Sequence, residues 1–222
     1  MSVPPNPATD TRLALLFGGD VMLGRGIDQI QPSPSDPTLY EDYIKDARGY
    51  VRLAERANGP VPRAVGPGYV WGAAREALAD PACRRILNLE TAITSSDTPW
   101  PDKGIHYRMH PDNIGCLTDI APDCLVLANN HVLDWGRAGL VETLETVEAV
   151  GIPTVGAGRD REAAERPVAL PGGDGRRLLV FAAGLGDSGI PADWAARESA
   201  PRVHYLPDLA DETLDRLAGL ID

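Results

Sequence analysis

The stretch Cys124-Leu125-Val126-Leu127-Ala128-Asn129-Asn130-His131-Val132-Leu133-Asp134-Trp135-Gly136 constrains this chain most. Its first half is a continuous apolar run, as expected of a strand buried on both faces of a parallel sheet. Its second half delivers two amides, an imidazole and a carboxylate, and a helix opens near Arg137. Such side chains suit a strand interior poorly, because each needs hydrogen-bond partners. They suit the carboxyl end of a parallel strand, where open α/β sheets hold ligands. They also suit a turn and helix cap, with Asn129, Asn130 or Asp134 satisfying backbone donors and His131 closing a polar network.

Two further strand ends favour chemistry over capping. Arg12 to Phe17 is apolar apart from its first residue and runs into Gly18-Gly19-Asp20-Val21-Met22-Leu23-Gly24-Arg25. Glycines beside Asp20 let the backbone turn and leave room for a group to approach it. The spacing is neither GxGxxG nor a GK[ST] loop, so a phosphate cradle is not expected. Cys83 to Leu87 ends in Asn88-Leu89-Glu90. Residues two apart on an extended chain share a face, so Asn88 and Glu90 point the same way. Glu90 could instead pair with Arg84 or Arg85 as a structural ion pair.

Between these strands, Gln31 to Thr38 reads as a Pro/Ser loop and Tyr40 to Ala57 as an amphipathic helix. Gly59 to Gly68 is an irregular insertion whose Arg63 could reach the carboxyl edge. Val70 to Ala79 reads as a short helix, Ile105 to His110 as a short strand, and Pro111 to Leu117 as a helix. His106 and His110 are taken as ordinary surface or core histidines. Ala138 to Val150 is an amphipathic helix closed by Gly151, and Ile152 to Val155 a fourth strand. Pro167 to Leu170 and Arg177 to Ala183 read as a hairpin, Gly184 to Pro201 as a loop with a helical turn at Trp194, and Asp211 to Ile221 as a helix. Residues 1–11 are expected to be a disordered tail and 12–222 a single α/β domain.

Composition narrows the partners. The formal net charge of −11 argues against nucleic acid or an anionic membrane, both of which need clustered Lys and Arg. An anionic substrate stays compatible, since a divalent ion or one buried Arg inverts the local field. Three cysteines without CxxC spacing fit buried thiols in a reducing compartment. No signal-like leader or membrane-length apolar run is seen, so a cytoplasmic location is expected.

Carboxylate, amide and imidazole donors from successive strand ends suit Mg, Mn, Fe or Zn. Gly19-Asp20-Val21-Met22-Leu23-Gly24-Arg25, Asn88-Leu89-Glu90-Thr91 and Leu127 to Gly136 resemble the signatures of the CapA family, associated with poly-γ-glutamate capsule synthesis. Tyr107-Arg108-Met109-His110-Pro111 and Ser188 to Trp194 fit its branch without a membrane anchor, and the resemblance runs from about Leu13 to Pro207.

The resemblance implies a metallophosphoesterase-like αββα sandwich. It makes Asp20, Glu90 and Asn130 metal ligands, with His131 as acid or transition-state stabiliser and Asp20 as its catalytic companion. Arg25, Asn88, Asn129 and Arg108 would contact a small anionic or peptide-like substrate. Met22 stands where the phosphoesterase pattern has a histidine ligand, so a single ion is a further expectation. The family's later histidine motifs are absent, and His204 matches neither, so this chain is expected to hold only the N-terminal part of the sandwich. The implied function is metal-dependent hydrolysis of a phosphoester or γ-glutamyl amide bond. The alternatives are a non-catalytic subunit working with other polymer-synthesis proteins, and a metal-independent proton-abstracting enzyme.

Overall fold

The computed structural model describes residues 13–172, 175–195 and 197–220. The tail expected at 1–11, the middle of the hairpin turn and the last two residues lie outside that set. The centre is a four-stranded, wholly parallel sheet in the order β1 (Ala14–Val21), β2 (Cys83–Leu89), β5 (Cys124–Val126), β6 (Thr154–Val155). Parallel pairing puts the carboxyl ends of all four strands on one rim, as the sequence reading required.

Alternation along β2 and β5 divides the core between the two faces of the sheet. Leu87, Leu89, Leu125 and Leu127 pack with Leu133, Leu140 and Val147, the last two from helix α5 (Gly136–Ala149). Ile86, Cys124 and Val155 face the other way, onto Leu170 and Val180. Those two belong to the antiparallel hairpin β8 (Val168–Pro171) and β9 (Arg177–Val180). Phe17, register partner of Ile86, lies beyond the hairpin and is 69% exposed. Short pairs complete the fold: β3 (Ala92–Ile93) with β4 (Arg108–Met109), and β7 (Ala157–Gly158) with β10 (Arg202–Val203). Among the described residues no helix is long and apolar enough to cross a membrane.

Several expected elements differ in extent. The first strand continues through Gly18, Gly19 and Asp20, with a register shift between Gly18 and Val21. The helix expected from Tyr40 is α2 (Arg48–Asn58), which follows N-cap residue Ala47, with Asp46 Oδ1 accepting the Arg48 N–H at 2.8 Å just before it. Pro37 to Ala47 instead forms a closed loop, with Ala47 N donating to Pro37 O at 2.7 Å. Gly72, at φ +50°, splits the Val70 to Ala79 segment into a single turn and α3 (Ala74–Leu78). The Ile105 to His110 strand shortens to Arg108–Met109, because the Tyr107 N–H goes to the Asp134 carboxylate instead of a ladder partner. Arg63 pairs with Glu55, and Arg84 and Arg85 pair with Asp123, which leaves Glu90 free of all three.

Gly156 follows β6 at φ +91° and packs against Ala128, the residue before the Asn-Asn-His segment. A Cβ there would lie 2.6 Å from Ala128 Cβ and 3.0 Å from its backbone nitrogen. Gly156→Ala should therefore destabilise the chain by roughly 2–4 kcal/mol. Urea unfolding with an unchanged m-value would register this as a lower midpoint.

Candidate active site

Asp20 occupies the stretch where β1 carries one residue more than β2: Gly18 pairs with Leu87 and Val21 with Leu89. Such a bulge re-aims the side chain it carries. Here it sets the Asp20 carboxylate over the rim, where Oδ1 accepts from Asn88 Nδ2 at 3.1 Å. The same amide donates to Glu90 Oε2 at 3.2 Å. Glu90 titrates at about 7, raised first by burial and then by its hydrogen bond to Asp20. Asp20 is held below the ordinary aspartate range, first by Glu90 and then by Asn88. The two groups are thus pushed apart: burial favours the protonated form of Glu90, and the hydrogen bonds to Asp20 favour its ionised form.

The amides link this pair to the imidazole. Asn129 Nδ2 donates to Asn88 Oδ1 at 3.0 Å and to Leu89 O at 2.9 Å, while its Oδ1 accepts the His131 N–H at 3.0 Å. Every polar group of the Asn88 and Asn129 side chains is thus engaged within the protein. His131 is buried, with Nε2 3.7 Å from Glu90 Oε1 and Nδ1 2.7 Å from Asp134 Oδ2. The Tyr107 ring stacks on the imidazole at 3.9 Å between centroids. Lys103 Nζ lies 2.7 Å from Asp134 Oδ1. Asn130 turns toward Gly189, where an added Cβ would come within 3.2 Å of its Nδ2.

The two arginines expected to contact substrate have protein partners. Arg25, at φ +50°, pairs with buried Glu41 at 2.5 Å and sits over the Tyr50 and Tyr107 rings. Arg108 is buried over Trp135 and donates to Ser96 O, Asp97 Oδ1 and Asp36 O. Met22 lines an apolar cavity of about 280 Å³ with Ile27, Ile30 and Val51. His106 is a core histidine donating to Trp100 O, and His110 caps the turn after β4.

Of the residues expected at the site, Asp20, Asn88, Glu90, Asn129 and His131 lie together, Asn130 faces Gly189, and Arg25 and Arg108 pair within the protein. Lys103, Tyr107 and Asp134 adjoin His131 and were not among those expected. The signal available for Asp134 was its position three residues after His131, which the cap reading had absorbed. Among the described residues no group of three or more His, Cys, Asp or Glu side chains is placed to hold a metal ion. The two carboxyl groups and the imidazole that faces them are nonetheless oxygen and nitrogen donors of the kind divalent ions take.

The parallel α/β sheet with carboxylate, amide and imidazole groups along one rim agrees with the family match, which makes this a metallophosphoesterase-like protein. The chain belongs to the family described as bacterial capsule synthesis protein PGA_cap, whose model matches residues 14–222. It is 46% identical over 201 residues to a protein from two strains of Mycobacterium tuberculosis described as "Probable polyglutamine synthesis accessory protein". That match covers 89% of this chain and 52% of the relative. It is 24% identical over 197 residues to the "PGA biosynthesis protein CapA" of Bacillus subtilis strain 168, covering 88% of this chain and 42% of that one. The chain thus spans about half the length of the curated relatives it matches.

Glu90 sets a pH signature. Its folded value of about 7 exceeds the ordinary 4.5, so between those limits the folded state binds the extra proton. Its contribution to stability is therefore lost as pH rises through this window. Glu90→Gln in metal-stripped protein should gain stability relative to the unsubstituted chain between about pH 5 and about pH 8, by up to roughly 3 kcal/mol. Taking the difference between the two proteins cancels the opposing contributions of buried His106 and His204, whose values are lowered by burial. Chemical denaturation of both at the two pH values checks it, and a pH-independent difference would contradict the assignment.

Proposed function

We propose that this chain is a hydrolase of the poly-γ-glutamate or capsule synthesis type that uses one divalent ion to cleave a phosphoester or γ-glutamyl amide bond. The observation that carries the reading is the Asn88-bridged pair of carboxyl groups, Asp20 and Glu90, facing Nε2 of an imidazole whose other nitrogen is held by a buried carboxylate. Carboxyl groups moved this far from their ordinary titration range concentrate at functional sites.

Asp20 and Glu90 would hold the ion, with Asn130 as the amide donor reached after a turn of its side chain. When bound, the ion would supply Lewis acidity and a matching charge for an anionic substrate. Met22 gives its thioether to an apolar cavity, which argues for one ion and against two. His131 donates through Nδ1 to Asp134 and turns the Nε2 lone pair to the reacting centre, the arrangement of a general base, and a proton taken up at Nε2 can then pass to a leaving group. Tyr107, flat against the ring, keeps water from one face of it. Partners among polymer-synthesis proteins are part of the same proposal, by the names its relatives carry.

The test is metal content and turnover of the 222-residue chain on p-nitrophenyl phosphates and γ-glutamyl peptides with Mn, Mg, Fe or Zn. Turnover should need metal. His131→Ala should lower kcat by about 10²–10⁴-fold. Asp20→Ala should lose the metal. A chain that neither retains metal nor turns over any of these substrates overturns the proposal. Turnover undiminished by chelation would favour metal-free proton transfer instead, for which Glu90 at about 7 is suited.

A further inference from the structure

Lys103 and Asp134 lie outside the reacting groups assigned above, yet both bear on His131. Asp134 is fully buried, and its carboxylate is met by two hydrogen-bond donors and one cation. Oδ2 accepts from the Tyr107 N–H at 2.6 Å and lies 2.7 Å from His131 Nδ1, while Oδ1 lies 2.7 Å from Lys103 Nζ. Lys103 in turn donates to Ile105 O at 2.9 Å and stands 3.2 Å from His131 Nδ1. It follows Asp102, a non-glycine residue at φ +58°, so the loop adopts an uncommon backbone conformation immediately before the lysine.

A carboxylate oxygen can only accept, so the short contact from Oδ2 requires a hydrogen on Nδ1. Lys103 then cannot donate to Nδ1, and its charge serves Asp134. Without that cation a carboxylate with no exposure would be an uncompensated buried charge. We infer that Lys103 and Asp134 are positioning residues that together hold His131 as its Nδ1–H tautomer, leaving the Nε2 lone pair turned to the Glu90 side of the site. The inference rests on the hydrolase reading for its catalytic meaning, but the tautomer itself is a property of the chain alone.

The experiment is a long-range ¹H–¹⁵N imidazole spectrum of isotope-labelled, metal-stripped protein at about pH 8, where an unperturbed imidazole is neutral. The expected result is a His131 signature with protonated Nδ1 and unprotonated Nε2. Asp134→Asn should reverse it, since an amide offers its own N–H to Nδ1. Lys103→Met should give a mixture of the two forms, and Lys103→Arg should restore the first. Lys103→Met alters a half-buried loop side chain and keeps the test usable if Asp134→Asn fails to fold. In turnover, Lys103→Met should lower kcat by about 10–100-fold with little change in KM, again restored by Lys103→Arg. An Nε2–H ring in the unsubstituted protein, or a Lys103→Met spectrum identical to it, overturns the inference. The expected spectra without turnover by any form would uphold the positioning role and remove the hydrolase reading.

Discussion

The buried carboxylate of Asp134 is the interaction on which the rest of the site depends. Four residues meet at this one. The Tyr107 backbone and the His131 ring bind Oδ2, Lys103 pairs with Oδ1, and the Asp134 carbonyl accepts the Trp100 N–H at 2.7 Å. The loop between β3 and β4 is therefore tied to α5's leading turn through both its middle and its end. A buried charge so arranged adds little net stability, because desolvation offsets much of the Coulomb attraction. Losing one partner is another matter, costing about 3–5 kcal/mol because the remaining charge stays buried. The arrangement therefore acts less as glue than as a constraint that permits one geometry of the imidazole.

The parallel core and its rim were legible because they rest on periodicity and on residues adjacent in sequence. Cys124 to Leu127 had to be buried on both faces, and the polar residues that follow had to emerge at an edge. The hairpin, the Gly151 stop at φ +73° and the helical turn at Trp194 were marked by residues with local backbone meaning. The misjudged stretches are those where one long-range contact overrode local pattern. Tyr40 to Ala47 has helical spacing, yet Glu41 turns inward to meet Arg25 and Tyr50. Ile105 to Tyr107 alternates like a strand, but its backbone groups serve Asp134 and Lys103. Lys103 could not be found from the sequence, since a single lysine in a polar loop has no pattern to betray its partner.

Asn88 and Asn129, which the family resemblance would set against substrate, are engaged within the rim. Asn88 and Asn129 form a continuous chain from the Asp20–Glu90 pair to the backbone of His131. An amide can donate and accept at once, which lets it join two acceptors on one strand end to a donor on the next. A carboxylate or a lysine in either place could not do both. The consecutive asparagines after β5 thus divide their duties: Asn129 spaces the rim internally, and Asn130 faces the turn at Gly189.

Charge balance around the rim bears on what the site can accept. The three cations nearest to it are each matched: Arg25 by Glu41, Lys103 by Asp134, Arg108 by Asp97 and backbone carbonyls. The chain as a whole carries −11, so distant residues add no compensating field. An anionic group approaching Asp20 and Glu90 therefore meets two carboxyl groups and no unmatched positive charge from these three residues. If the substrate is anionic, the charge that receives it has to arrive from outside the polypeptide. Under the hydrolase proposal Asp20 and Glu90 would hold a divalent ion, which would supply positive charge for such a group. Both carboxyl groups have to be ionised to hold it, so metal affinity would fall as pH drops through the range in which Glu90 takes up its proton.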